Sequence, residues 1–106
     1  MNNIAVLTEK LKAKLAITWE DTELDTRLKD IISSAIPDLI EILGITDEKF
    51  DFEEAGIENT LLINYCFYEF NNALADFEDN YSEAISRCRK QWEIKSFLAE
   101  KEGESK

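Results

Sequence analysis

Residues 45–57 carry the closest approach to a metal site in this sequence. Four carboxylates lie near the ligand positions of a helix–loop–helix calcium site: Asp47, Asp51, Glu53 and Glu58. Lys49 occupies a further position where a ligand is expected, and Phe52 stands where a glycine must make the sharp turn. We therefore expect a solvated acidic loop, with Phe50 and Phe52 pinned inward, rather than a calcium site.

The residue types of catalytic sites are scarce. The chain has no histidine, three scattered glycines and two cysteines without C-x-x-C spacing, so it offers no imidazole base, no phosphate loop and no zinc site. The adjacent carboxylates Glu53–Glu54 and Glu78–Asp79 are interpreted as solvated faces rather than acid–base pairs. We therefore predict a protein that is not an enzyme and needs no cofactor.

Charge and composition limit the kinds of partner. The 106 residues suffice for one domain, and 23 acidic against 12 basic residues give a formal net charge of −11. Such a surface favours basic or neutral partners and argues against tight binding of duplex DNA, which needs clustered lysine and arginine. Neither a signal-peptide pattern nor an apolar run of the roughly 20 residues that span a membrane is present. We expect a reducing cytoplasm, with no membrane partner.

The longest apolar segment, residues 60–77, is predicted to be the central helix, with Asn59 as its N-cap. Apolar side chains recur there at spacings of three and four, the period of one helix face. The expected core residues are Leu62, Cys66, Phe67, Phe70, Ala73, Leu74 and Phe77. The other elements must pack around this helix.

A shorter helix is predicted at the N-terminus, within residues 1–16, capped by Asn2 or Asn3. Its apolar residues form a single seam: Ile4, Leu7, Leu11 and Leu15. A single row of apolar side chains can pack against a partner but cannot form a hydrophobic core by itself. This pattern suits a mobile element that docks on the domain or on a neighbour.

A second helix is predicted between a Thr18 cap and Gly44, which suits the C′ position. Pro37 lies inside its apolar pattern, so we expect a kink or a break at Ile36. Together the elements predict an all-α fold, a small bundle of about four helices around the central one, whose main domain covers residues 17–90.

The last segment, residues 91–106, is predicted to be a C-terminal arm after a short helix that begins at Asn80 or Ser82. The arm's large apolar residues fit a strand in part and a helical turn in part: Trp92, Ile94, Phe97 and Leu98. These side chains need burial. Either the arm folds back on its own body, or another subunit covers it.

The chain resembles the head–tail connector proteins of long-tailed bacteriophages and their prophage relatives. The resemblance is carried by the run LLINYCFYEFNNAL (Leu61–Leu74), by Phe77–Tyr81 and by the Glu83–Arg89 helix. The unit from Trp19 to Gly44, which leads into Ile45, is also similar to that family's preceding helix and turn. The likeness covers roughly residues 17–94 and consists of aromatic and asparagine positions, without a catalytic signature.

The resemblance implies a small all-α subunit that assembles into a ring, typically a dodecamer, beneath the portal of the filled capsid. Such a ring binds the portal on one side and a stopper or tail-completion protein on the other, with DNA only as passing cargo. The subunit would belong to the virion neck, and to the host cytoplasm during assembly. Isolated subunits can stay monomeric until the portal templates the ring.

Within this hypothesis the arm binds the portal through Trp92, Ile94, Phe97 and Leu98, for instance by adding a strand to its edge. Ring contacts need two different patches on each subunit. Residues 69–83 are acidic and residues 87–95 are rich in cations, so the expected pairs join Asp76, Glu78 and Asp79 to Arg87, Arg89 and Lys90. The alternative is an acidic helical interaction module, such as a DNA-mimic inhibitor or an antitoxin.

Overall fold

Most of the residues that the structure describes lie in helices. The computed structural model describes residues 2–47 and 49–104, with side chains as far as Lys101. Its α-helices are α1 (Ile4–Lys14), α2 (Thr22–Leu43), α3 (Ile57–Phe70), α4 (Phe77–Asn80) and α5 (Ser82–Glu104), and one 3-10 turn (Leu74–Asp76) precedes α4. No strand occurs in the described ranges, and the prediction of an all-α fold is confirmed.

A side-chain hydrogen-bond acceptor caps the N-terminus of each of the first two helices. The Asn3 Oδ1 accepts hydrogen bonds from two amides of the first turn of α1, at 3.1 and 3.4 Å, as predicted for an N-cap. For α2 the acceptor is the Asp21 carboxylate, at 3.0 and 3.1 Å from two amides. The predicted Thr18 cap is therefore wrong. The helix begins later because the charged Asp21 also suits the positive end of the helix dipole.

The first three helices end in the same way, at a residue with a left-handed backbone. This residue is Ala16 after α1 (φ 59°), Gly44 after α2 (φ 67°) and Asn72 after α3 (φ 57°). In each case the next amide donates to the carbonyl five residues earlier, at 2.8 to 3.0 Å. These bonds form Schellman motifs, and the prediction that Gly44 ends α2 is confirmed.

The predicted central helix is shorter than residues 60–77. α3 begins at Ile57 and ends at Phe70, so the prediction of one helix as far as Phe77 is wrong. Asn72 causes the difference, because asparagine tolerates the left-handed backbone that terminates a helix. Phe77 consequently lies on α4, where it is still fully buried.

The core lies on both sides of α2 and α3, which pack against each other and against α1 and α5. Of the predicted core residues, Leu62, Cys66 and Phe77 are fully buried. The others are half-buried at its edge: Phe67, Phe70, Ala73 and Leu74. Five fully buried residues of α2 face them: Leu28, Ile32, Ala35, Leu39 and Leu43. Burying one such leucine contributes about 1.5–3 kcal/mol.

α2 runs through Pro37 without interruption, so the predicted break at Ile36 does not occur. Proline removes the amide that would bond to the carbonyl of Ser33. Both Ser33 and Pro37 are exposed, so water can satisfy that carbonyl. The buried residues on the opposite face hold the helix together across this position.

The N-terminal helix lies against α2 and α3. Leu7 and Leu11 are fully buried, and the Lys12 Nζ lies 2.9 Å from an oxygen of Asp25 on α2. Of the two positions expected for residues 1–16, on the domain or on a neighbour, the structure has the first.

The connection between α2 and α3 has the expected acidic surface over apolar side chains. Phe52 is fully buried and Phe50 half-buried. The Phe52 amide donates to the Asn2 side chain at 2.7 Å, and its carbonyl accepts from the Asn59 side chain at 2.6 Å. Asn59 is therefore not the predicted N-cap of α3, which begins after Gly56 without a side-chain cap.

The last helix crosses the predicted boundary between body and arm. α5 is continuous from Ser82 to Glu104, with Cys88 and Trp92, one turn apart, both buried against the body. Residues 91–104 therefore do not form a separate arm. Their helical backbone also does not suit the strand addition that we considered, because a strand needs free backbone donors and acceptors.

We expect Ala16→Gly to raise the free energy of unfolding and Gly44→Ala to lower it, each by about 1 kcal/mol, since an L side chain costs roughly this much in the left-handed region. A Cβ at Gly44 would meet no atom within 4 Å, so its effect is conformational. Urea unfolding followed by circular dichroism measures both shifts. Two shifts of the same sign would contradict the Schellman assignment.

Candidate interaction surface on the last helix

α5 has two opposite faces. Trp92 is 5% exposed against the body, whereas Ile94, Phe97 and Leu98 are 60%, 57% and 54% exposed. At roughly 100° per residue these three side chains fall on the side of the helix away from Trp92. We call them the outer patch. Among the described residues, the other exposed large hydrophobic side chains are those of Val6 and Trp19.

Aromatic contacts seat α5 on the connection between α2 and α3. The Trp92 ring meets Phe50 edge to face, with centroids 5.4 Å apart, and Phe50 meets the buried Phe52 in the same way at 5.0 Å. Such pairs contribute about 0.5–1.5 kcal/mol beyond their buried area. One turn further along, the Ser96 hydroxyl lies within hydrogen-bond distance of the Thr46 hydroxyl, at 2.9 Å. These contacts fix which face of α5 points outward.

Cations share the outer side of the helix. Arg87 and Lys90 precede Ile94 by seven and four residues, and Lys101 follows it by seven, so all three lie on its face. The Lys101 Nζ lies 5.6 Å from the centroid of the Phe97 ring. Carboxylates lie there too: Glu93 and Glu100 line one surface with Phe97, and Glu83 lines another with Arg87 and Lys90. Cations therefore line one row of the outer side, on a chain whose net charge is −11.

The structure separates the four residues predicted to form a portal-binding arm. Ile94, Phe97 and Leu98 lie together and are exposed, but Trp92 belongs to the core. The prediction that Trp92 belongs to the exposed binding residues is therefore wrong, because its ring packs beside Phe50. The signal was present in the sequence, since Trp92 follows Cys88 by one turn.

All six residues predicted to form contacts between subunits are exposed: Arg87, Arg89, Lys90, Asp76, Glu78 and Asp79. Of these, Arg89 has a partner within the chain. Its guanidinium donates to the carbonyl of Ile42, in the last turn of α2, where helix carbonyls lack intrahelical donors. Arg89 therefore joins α5 to α2.

A surface cleft of 430 Å³ lies between the N-terminal half of α2 and the end of α3. Three carboxylates line it, those of Glu23, Asp30 and Glu69, together with Arg27 and Ile31. The Arg27 guanidinium stacks over the ring of Phe70 at 4.6 Å. We call this the α2–α3 cleft. No spacing in the sequence indicates this cleft, because it depends on how two helices pack.

Beside this cleft, Glu69 is held in an unfavourable environment for a carboxylate. Burial raises the pKa of Glu69, and the nearby Asp38 carboxylate raises it further. Asp38 accepts a hydrogen bond from the Tyr65 hydroxyl at 3.2 Å. Burial also raises the pKa of Tyr65 to about 12, so the phenol stays protonated as the donor.

The two cysteines are buried and free. Burial raises the pKa of Cys66 to about 12, and burial with the Glu58 carboxylate raises that of Cys88 to about 11. Both thiols are therefore poor nucleophiles at neutral pH. In the described ranges, no three His, Cys, Asp or Glu side chains are grouped to hold a metal ion. No helix in the same ranges has the length and apolar character needed to cross a membrane.

No family model, curated protein or solved structure matches this chain.

The two faces of α5 predict opposite mutational outcomes. Trp92→Ala should lower the free energy of unfolding by about 3–5 kcal/mol, because it leaves a cavity beside Phe50. Phe97→Ala should change it by less than about 0.5 kcal/mol, because its side chain is exposed. Urea denaturation of both variants measures the difference. Equal losses would mean that Phe97 is packed against the body.

Glu69→Gln should stabilise the protein at neutral pH. The folded pKa of Glu69 is raised, so its ionised form costs stability above that pKa, and the cost fades as pH falls below the ordinary glutamate value. The urea midpoint of the variant should therefore exceed that of the parent at pH 7 and converge on it in acid. The control is Glu54→Gln, which removes an exposed carboxylate outside the helices and should leave the urea midpoint at pH 7 nearly unchanged. A lower midpoint for Glu69→Gln at pH 7 would refute this account.

Proposed function

We propose that the protein is a structural head–tail connector subunit of a tailed bacteriophage or prophage. It would join a ring beneath the portal and link the capsid to the tail, with the DNA passing through the ring. The observation that carries the proposal is the outer patch, which consists of three large apolar side chains exposed to solvent. The opposite face of the same helix is packed against the body. A surface of this kind marks a protein interaction site.

The resemblance of residues 17–94 to connector proteins says which partner to test. An all-α body with such a patch on its last helix is compatible with a subunit that reaches toward the portal. The contact would be made by the face of a helix, since α5 is helical through Glu104. A helix face laid into an apolar groove is a common mode of recognition.

Charge supports the ring part of the proposal. Asp76, Glu78 and Asp79 lie exposed around α4, and Arg87 and Lys90 lie exposed on α5. A head-to-tail contact needs two different surfaces of this kind on every copy. The net charge of −11 would also keep passing DNA from adhering to the ring.

The test is assembly with the portal protein encoded in the same genome, purified as a ring. The parent chain should co-sediment with portal rings and add density to them in electron micrographs. Changing Ile94, Phe97 and Leu98 to serine should abolish this while leaving the urea midpoint nearly unchanged, because all three are exposed.

The matched control removes the other exposed hydrophobic side chains. Val6→Ser combined with Trp19→Ser should assemble as the parent does. Failure of the parent to join portal rings would reject the connector proposal and favour the acidic interaction module. Normal assembly of the triple serine variant would show that the contact lies elsewhere.

A further inference from the structure

We propose that in the free protein the outer patch of one copy packs into the α2–α3 cleft of a second copy. The contact is head-to-tail, so each copy offers both halves of it. This goes beyond the connector proposal, because it concerns the protein before any portal is present. A portal would compete with the second copy for Ile94, Phe97 and Leu98.

Complementary charge identifies the occupant. The cleft carries the carboxylates of Glu23, Asp30 and Glu69 against one cation, Arg27. The outer side of α5 carries Arg87 and Lys90, which form no ion pair with any described residue. Glu83 lies beside these two cations, and Glu93 and Glu100 flank Phe97, so the contact sets Arg87 and Lys90 specifically toward the carboxylates of the cleft. Ile31, which is half-buried there, would meet the apolar patch. Opposite potentials of this kind steer association and fix its orientation.

The two surfaces cannot meet within one chain. The outer patch lies near the C-terminal end of α2, where Thr46 contacts Ser96. Ile31, inside the cleft, lies 13 residues before Gly44, roughly 20 Å away along the helix. Because α5 is a continuous helix fixed by Trp92, it cannot bend back over that distance.

A symmetric pairing of two outer patches is less favourable. If the two helices pack antiparallel around Phe97, Lys90 of one copy lies close to Lys101 of the other, and like charges in contact oppose association. The head-to-tail contact instead sets cations against carboxylates. A cation close to Glu69 would also stabilise the ionised form of this residue, whose pKa is raised by burial and by Asp38.

Sedimentation velocity of the full chain tests the contact, without any portal. The sedimentation coefficient of the parent should rise with protein concentration at low salt, and less so at about 0.15 M, because exposed charges are screened. Two variants each remove one half of the contact. The patch variant carries Phe97→Ser and Leu98→Ser, and the cleft variant carries Glu23→Lys and Asp30→Lys.

Each variant alone should remain monomeric over the range in which the parent associates, a loss of at least about tenfold in affinity. An equimolar mixture should form a 1:1 dimer and nothing larger, because only the intact patch of the cleft variant can enter the intact cleft of the patch variant. The controls Val6→Ser and Glu54→Lys should associate like the parent. Circular dichroism and urea unfolding confirm that every variant is folded.

A parent chain that stays monomeric at all concentrations would overturn the proposal. So would association that survives in either variant, or a mixture that fails to recover the dimer. None of these results bears on portal assembly, which is measured separately. The two proposals can therefore fail independently.

Discussion

The contact between Trp92 and Phe50 is the constraint on which the orientation of the candidate interaction surface depends. Phe50 rests on the buried Phe52, whose amide and carbonyl are both bonded to side chains of other elements. The connection between α2 and α3 thus provides a fixed surface against which the indole ring of Trp92 packs. Once Trp92 is fixed there, the helical period dictates that Ile94, Phe97 and Leu98 point away from the body. Their exposure follows from the packing of the opposite face.

The helical character and part of the core could be predicted from apolar spacing. Residue preferences at helix ends predicted Gly44 at the end of α2 and either Asn2 or Asn3 at the start of α1, and the structure has Asn3. The apolar spacing gave the wrong end for the central helix. Phe77 continues the helical period of α3 in the sequence, although the backbone leaves the helix at Asn72. Asparagine in the left-handed region was the available signal. The exposed patch was only half predictable. Its residues stood out by type, and the position of Trp92 one turn after Cys88 was a signal for its burial. The contact of Trp92 with Phe50 could not be predicted, because tertiary packing sets the position of Phe50.

The outer side of α5 also differs in charge from the rest of the chain. A strongly acidic chain repels copies of itself in general, so the proposed contacts between copies depend on local reversals of charge. The outer side of α5 is such a reversal, with Arg87 and Lys90 beside apolar side chains. By contrast Lys12 and Arg89 are engaged within the fold, by Asp25 and by the end of α2. Arg89 lies between Arg87 and Lys90 in the sequence, so the face of the helix, and not the position along the chain, decides which cation is engaged within the fold.

The most direct test of this account is iodide quenching of the fluorescence of Trp92 in a Trp19→Phe chain, which retains one tryptophan. The account predicts blue-shifted emission that iodide quenches only weakly in the folded protein. Quenching should rise with the same urea midpoint as the loss of helix. Strong quenching under native conditions would mean that α5 leaves its seat on Phe50, and the outer patch would then have no fixed orientation.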